Sequence, residues 1–237
     1  MAFKILFHAL FLSFFVLGIH AITVKVRNNC NEKIWPATLT SSGGAPSTTG
    51  FELASKAEGN IELPGDWSGR IWARTGCSGA GTGCATGECG SGSVTCNGNG
   101  GVPPVSLVEI TLPGGDSKTQ NFYDISLVDG FNLPVKVSPD GCRSISCQAD
   151  INNQVCPADL RVPGPNGGNI ACKSACLQTN SDSDCCKGAF NSPDKCSPSE
   201  YSKVVKQACP DAYSYAYDDR TSTATCPTGA NYLVEFC

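Results

Sequence analysis

The stretch NFYDISLVDGFN, residues 121–132, carries two aspartates, Asp124 and Asp129, in an otherwise largely apolar and aromatic run. The two acids are five residues apart, so in one straight strand their side chains would point to opposite faces of a sheet. Both reach one surface only if the strand ends or bulges between them, and Asp129-Gly130 is a turn signal. We therefore predict a strand that carries Asp124 and a following turn that presents Asp129 to the same hollow.

Short alternating runs of this kind recur along the chain, separated by turn residues among its 26 glycines and 15 prolines. In GRIWART, Arg70 shares one side of the predicted strand with Trp72 and Arg74, and in SLVEITL, Glu109 shares a side with Leu107 and Thr111. Further runs are ITVKVR (22–27) and NYLVEFC (231–237). Runs with a period of two residues between turn signals predict an all-β fold.

The first 21 residues predict a cleaved secretory signal, because one early lysine precedes a long apolar run that ends at the small residue Ala21. A membrane anchor is the alternative, but basic residues do not flank the run after Ala21 and no second long apolar segment follows. Both histidines, His8 and His20, lie in this signal. The mature chain would then have no imidazole, which excludes Ser-His-Asp and Cys-His catalysis and a histidine-containing zinc site.

All sixteen cysteines lie after the signal, an even and dense set that predicts eight disulfides in an oxidising compartment. Zinc knots are the alternative, but the chain has no Cys-x-x-Cys pair, so we expect no metal. The spacing alone leaves the pairing open. Loss of Lys4 leaves 16 Lys and Arg against 21 Asp and Glu, a net charge of −5. That charge disfavours nucleic acid and anionic membranes as partners.

Two segments differ in composition from the predicted strands and lack their regular alternation. Residues 77–101 are glycine-rich with four cysteines, which indicates a small disulfide lobe rather than a flexible linker. Residues 147–209 have eight cysteines in an irregular sequence and contain one predicted helix. Its N-cap would be Ser197, its first residue Pro198, and Glu200 would complete a capping box. Its apolar residues at helical spacing are Tyr201, Val204, Val205 and Ala208. Residues 22–76, 102–146 and 210–237 are then left for the β core.

The combination of several motifs with sixteen cysteines resembles the thaumatin-like proteins, the fifth group of plant pathogenesis-related proteins, over residues 22–237. The motifs are RIWARTGC (70–77), CATGEC (84–89), NFYDISLVDGFNLP (121–134), CPADLRVP (156–163), CPDAYSYAYDD (209–219) and the terminal cysteine. The loop between Cys77 and Cys84 is shorter than is usual in the family, and Glu88 stands where the family commonly has Asp.

The resemblance implies a flattened β-sandwich core, a disulfide-rich loop and helix lobe, and a small disulfide lobe, with a cleft between the first two. It also implies a secreted protein of the apoplast or the vacuole. The disulfides that it implies are Cys30–Cys237, Cys77–Cys84, Cys89–Cys96, Cys142–Cys226, Cys147–Cys209, Cys156–Cys172, Cys176–Cys185 and Cys186–Cys196.

Family members line their cleft with one arginine, one glutamate and three aspartates. Motif by motif, these correspond to Arg70, Glu109, Asp124 and Asp129, with Asp218 of YAYDD as the fifth residue and Asp211 of CPDAYSY as the alternative. Each has a simpler interpretation as well: Asp129 as a turn former whose carboxylate caps backbone amides, and Arg70 as a solvated strand residue or an ion-pair partner.

The resemblance implies binding of β-1,3-glucan and antifungal defence, with endo-β-1,3-glucanase activity in only some members. In a glycosidase, Glu109 would be the acid and Asp129 or Asp124 the base. In a binding protein, the same carboxylates would accept hydrogen bonds from sugar hydroxyls, beside the flat faces of aromatic rings. Candidate rings, most of which are expected in the core, are those of Phe122, Tyr123, Phe131, Tyr213, Tyr215, Tyr217 and Trp72. A membrane-perturbing protein or an inhibitor of a foreign enzyme are the alternatives. We expect a monomer that needs no cofactor.

Overall fold

The structure, a computed structural model, describes residues 21–114 and 119–237. The predicted signal, apart from Ala21, lies outside the described residues. Two five-stranded sheets form the main regular structure of the described chain, which confirms the predicted all-β class. A helix long and apolar enough to cross a membrane is not found within the described ranges.

The first sheet contains the two ends of the described chain as neighbouring parallel strands, and its other strand pairs are antiparallel. Numbered along the whole chain, its strands are β1 (Ile22–Asn28), β3 (Glu58–Leu63), β7 (Val135–Pro139), β8 (Ile145–Cys147) and β12 (Tyr232–Phe236), in the order β3-β1-β12-β7-β8. In β1 the apolar residues Ile22, Val24 and Val26 are buried, as the alternation predicts.

The second sheet is entirely antiparallel and carries the charged residues of the predicted cleft. Its strands are β2 (Ile34–Ser42), β4 (Ser68–Thr75), β5 (Leu107–Thr111), β6 (Gln120–Ser126) and β11 (Ala224–Pro227), in the order β11-β6-β5-β4-β2. The inner faces of the two sheets form one hydrophobic core. Within it, Tyr123 of β6 and Tyr232 of β12 pack edge to face, with 5.7 Å between ring centroids.

The connections after β8 contain the remaining short elements. These are a π-helical turn (Ile151–Val155), two 3₁₀ turns (Ala158–Leu160 and Gly188–Phe190), the hairpin β9 (Arg161–Pro163) and β10 (Asn169–Cys172), and the helices α1 (Ala175–Thr179), α2 (Glu200–Ala208) and α3 (Asp219–Ser222). The division of the chain into three lobes stays a prediction, and Cys147, assigned to the irregular lobe, is the last residue of β8.

Helix α2 starts two residues later than the sequence predicts, so the N-cap assignment of Ser197 is wrong. Ser199 is the N-cap, and its hydroxyl accepts a hydrogen bond from the Ser202 amide at 3.1 Å. Either serine can cap a helix, and the chosen start buries Tyr201 and Val205 against the core. Val204, predicted on the buried face, is exposed.

All sixteen cysteines form disulfides, and the eight pairs are those that the resemblance implies. Cys30–Cys237 joins the chain just after β1 to the end of β12. The two cysteines are 207 residues apart in the sequence, so this bond closes a long loop and restricts the unfolded state strongly.

Candidate functional site

Three charged side chains form one rung across the middle of the second sheet. Arg70 of β4 lies directly opposite Glu109 of β5, and Glu109 lies directly opposite Asp124 of β6. Directly opposed residues in antiparallel strands have Cβ atoms about 4.5–5.5 Å apart and project from the same face. The flanking residues of these strands, among them Val108 and Tyr123, point into the core, so the rung lies on the outer face.

Asp129 reaches this rung from the turn that follows β6. The strand ends at Ser126, and the amide of Gly130 donates to the Leu127 carbonyl at 3.0 Å to close the turn. Gly130 has φ +89°, and a Cβ there would lie 2.6 Å from the Cys172 carbonyl oxygen, so the position requires glycine. The turn brings Asp129 Oδ2 to 3.8 Å from Arg70 Nη1.

The opposite wall comes from the segment after α2. The amide of Tyr213 donates to the Ile125 carbonyl at 2.8 Å, and the amide of Leu127 donates to the Tyr213 carbonyl at 2.9 Å. These bonds hold the segment beside the end of β6. The rung, the Asp129 turn and the Tyr213 segment together form an open cavity of about 360 Å³. It is lined by Arg70, Leu107, Glu109, Asp124, Ser126, Val128, Asp129, Tyr213 and Ala216. We call it the acidic cleft.

The lining of the acidic cleft has one guanidinium for three carboxyl groups. Burial raises the pKa of Asp124 to about 8, and the negative charges of Glu109 and Asp219 add to the effect. Burial also raises the pKa of Glu109, although Arg70 opposes the shift and Asp129 adds to it. Oδ1 of Asp124 is buried without a hydrogen-bond partner. Asp124 is therefore better suited to hold a proton than Glu109, the acid that the sequence suggested.

The fifth predicted residue, Asp218, lies outside the acidic cleft. Its Oδ2 is 3.0 Å from Lys206 Nζ and accepts hydrogen bonds from the amide and the hydroxyl of Ser214. Lys206 of α2 also donates to the Ala212 carbonyl and to Ser222 Oγ. Asp218 thus fixes the segment that forms the Tyr213 wall and borders a second cavity of about 260 Å³ on the α2 side.

The alternative fifth residue, Asp211, also lies outside the acidic cleft, and Asp219, the neighbour of Asp218, is a residue that the sequence analysis missed. Asp211 pairs with Arg143 and accepts a hydrogen bond from the Ser146 amide at 3.2 Å. Asp219 accepts a hydrogen bond from the Tyr213 hydroxyl at 3.0 Å and acts electrostatically on Asp124. The Asp218-Asp219 pair in YAYDD was the available signal, but only the fold assigns each acid to a side of this segment.

The aromatic residues near the cleft divide sharply by exposure. Tyr123, Phe131 and Trp72 are fully buried, whereas Phe122 is 45% exposed. Phe122 lies two residues before Asp124 in β6 and therefore projects from the same outer face, one rung further along. The neighbours in its rung carry hydroxyl groups: Thr111 of β5, Thr225 of β11 and, opposite Thr111, Ser68 of β4. An exposed ring among hydroxyl groups thus adjoins the acidic cleft.

The segment 77–101 covers the other end of this face. Trp72 and Arg74 follow Arg70 on the same side of β4, as predicted, but both are buried. The guanidinium of Arg74 donates to the carbonyls of Trp35, Gly81 and Val94 at 3.2, 3.0 and 2.6 Å, and the Trp72 indole donates to the Gly87 carbonyl.

A cluster of three or more His, Cys, Asp or Glu residues able to hold a metal is absent from the described part of the chain.

Comparison with known proteins gives consistent matches over the folded chain. Residues 28–237 match the family described as the Thaumatin family. A protein of Prunus avium named "Glucan endo-1,3-beta-glucosidase" is 50% identical over 228 residues, which cover 93% of this chain and 92% of that protein. "Pathogenesis-related protein 5" of Arabidopsis thaliana is 48% identical over 239 residues, which cover 97% of each chain.

One solved structure also resembles the fold at low sequence identity. It is that of a laminaripentaose-producing beta-1,3-glucanase in complex with laminaritetraose, with a TM-score of 0.60 and 14% sequence identity. The alignment covers 90% of this chain and 98% of the other. At this identity the likeness supports the fold only.

Proposed function

This chain belongs to the thaumatin family, and from that premise we propose that it is a secreted plant defence protein that binds β-1,3-glucan of fungal walls in the acidic cleft. The observation that carries the proposal is the rung of Arg70, Glu109 and Asp124, joined by Asp129, in a single open cavity. A glucan is an uncharged chain of hydroxyl groups. Such a ligand is bound better by a surface that carries both hydrogen-bond acceptors and hydrogen-bond donors than by a surface whose groups all carry the same charge.

The chemistry of the cleft suits the hydroxyl groups of such a ligand. Carboxylate oxygens of Glu109 and Asp129 accept hydrogen bonds, and the Nε of Arg70, buried without a partner, is a donor. The cavity has the size of a small-ligand site and is open enough for a chain to pass. The exposed ring of Phe122 adds an apolar surface beside it for the faces of sugar rings.

One of the similar proteins supports the same ligand class. The Prunus avium relative is named for hydrolysis of 1,3-β-glucan. Its name does not transfer an activity to this chain, but it makes β-1,3-glucan the first ligand to test.

Sedimentation with insoluble β-1,3-glucan tests the proposal. We expect Asp129→Asn and Glu109→Gln to reduce the bound fraction several-fold, because each variant removes a carboxylate acceptor from the cavity. Asp159→Asn is the matched control, since Asp159 is exposed and outside the cleft. Equal binding by all three variants would remove the acidic cleft from the function. A membrane-perturbing protein or an enzyme inhibitor would keep its effect in both cleft variants.

A second candidate function is endo-β-1,3-glucan hydrolysis, because the cleft contains two carboxyl groups with a raised pKa, those of Asp124 and Glu109, together with the carboxyl group of Asp129. Burial raises the pKa of Asp124 and Glu109, so one of them can serve as the proton donor, and the partly exposed Asp129 lines the same cavity. We expect release of reducing ends from laminarin to be abolished in Glu109→Gln and in Asp124→Asn while both variants stay folded. Activity that persists in both would come from another protein in the preparation.

A further inference from the structure

We propose that Asp124 and Glu109 share one proton across the rung, and that Asp124 holds it and offers its O–H as a hydrogen-bond donor to the bound polysaccharide. This inference rests on the proposed function of the acidic cleft and assigns Asp124 the opposite role to the other carboxylates. Glu109 and Asp129 would accept hydrogen bonds from sugar hydroxyls. Asp124 would donate one.

The strand register is the first reason. Asp124 and Glu109 are directly opposite each other on neighbouring strands, and both are largely shielded from solvent. Like charges in directly opposed positions repel, and water is largely excluded from screening them here. Two carboxyl groups that share such a site do not both ionise, so one proton stays with the pair.

The surroundings decide which of the two residues holds the proton. Glu109 has the guanidinium of Arg70 directly opposite on its other side, which favours its charged form. Asp124 has no cation in that position. The titratable and charged groups that line the cleft beside Asp124 or act on its charge are Glu109 of β5, Arg70 of β4 beyond it, Asp129 of the turn, the Tyr213 hydroxyl and Asp219 of α3.

The hydrogen-bond pattern at Asp124 is the third reason. Oδ1 is buried without any partner, although a buried ionised carboxylate normally accepts several hydrogen bonds. An aspartate that is shielded from water and has no hydrogen-bond donor beside it is more stable as the neutral acid than as the carboxylate. Its proton then needs an acceptor, and a ligand hydroxyl oxygen in the cavity can provide one.

The experiment compares glucan affinity at pH 5.5 and pH 9.5 for the wild type, Asp124→Asn and Asp124→Leu. Deprotonation of Asp124 removes the donor, so we expect the wild type to bind about 30-fold more weakly at the higher pH, given the pKa of about 8. Asn keeps an N–H donor at every pH, so the ratio for Asp124→Asn should be near one, and this variant should exceed the wild type at pH 9.5. Leu lacks a donor and should bind weakly at both.

Opposite outcomes would overturn the proposal. If Asp124→Asn shows the same pH ratio as the wild type, or binds at pH 5.5 no better than Asp124→Leu, then Asp124 is an ionised acceptor. The ¹³C chemical shift of the Asp124 carboxyl gives a ligand-free readout. We expect its titration midpoint far above that of an ordinary aspartate and lower in Glu109→Gln. A midpoint near 4 refutes the shared proton, while a wild type that binds no glucan at either pH refutes the proposed function instead.

Discussion

Replacement of Asp124 by Asn should stabilise the protein at neutral pH and leave it nearly unchanged in acid. In the folded state burial and nearby acids raise the pKa of Asp124 from 3.8 to about 8, whereas the unfolded chain keeps the ordinary value. Between these values the folded protein binds a proton that the unfolded chain has lost. A raised folded-state pKa therefore stabilises at low pH, and its contribution is lost as pH rises.

The magnitude follows from the size of the shift. From pH 3.8 to pH 7 is about three pH units, and each unit corresponds to about 1.36 kcal/mol, so Asp124 lowers the free energy of unfolding by roughly 4 kcal/mol over this range. Asn is neutral and nearly isosteric with the protonated acid. We expect Asp124→Asn to gain on the order of 4 kcal/mol relative to the wild type at pH 7, which is roughly 8–16 °C in Tm for a chain of this size.

Calorimetry of both proteins at pH 4 and pH 7, with disulfides intact, measures this difference. Asp129→Asn is the matched control because Asp129 is 41% exposed and its contact with Arg70 is a solvated ion pair. It should change stability by less than about 1 kcal/mol at either pH. An Asp124→Asn variant whose Tm differs from that of the wild type by the same amount at both pH values would refute the raised pKa.

Two further predictions concern the surroundings of the cleft. Phe122→Ala should weaken glucan binding about five-fold, on the order of 1 kcal/mol, because the exposed ring adjoins the acidic rung. Phe190→Ala is the control: it removes another exposed ring, outside the cleft lining, and should bind glucan as the wild type does. Lys206→Met should destabilise the protein by roughly 2–3 kcal/mol and weaken glucan binding, because the Asp218 carboxylate and the Ala212 carbonyl lose their shared donor. Lys203→Met is the control, since it loses only an exposed ion pair with Glu200 and should change neither property. Denaturation curves measure the stability, and sedimentation with glucan measures the binding.

Much of the fold could be predicted because its signals are local. Alternation with a period of two identifies β1, β4, β5 and β12, since burial of one sheet face demands it. The odd spacing of Asp124 and Asp129, together with Asp129-Gly130, predicts a strand followed by a turn, and the structure has both. The start of α2 was misjudged because Ser197 and Ser199 satisfy the same local capping rule.

Other features follow from contacts between distant segments. Arg74 looks like an exposed strand residue, yet it is buried because segment 77–101 folds over it and supplies carbonyl acceptors. Asp218 and Asp219 are adjacent in sequence, but the first contacts Lys206 and the second the Tyr213 hydroxyl. A sequence pattern states which side chains are polar, but the partner of each depends on how separate segments pack.

The sequence by itself determined that this is an all-β, disulfide-rich chain with the acids Glu109 and Asp124 in largely apolar strands, because residue type and spacing act within a few neighbours. Only the tertiary structure decided that Arg70, Glu109 and Asp124 stand in one rung, because strand register is a relation between segments up to about forty residues apart. The register also sets the proton affinity of Asp124, since a pKa depends on burial and on the charges that the fold brings near.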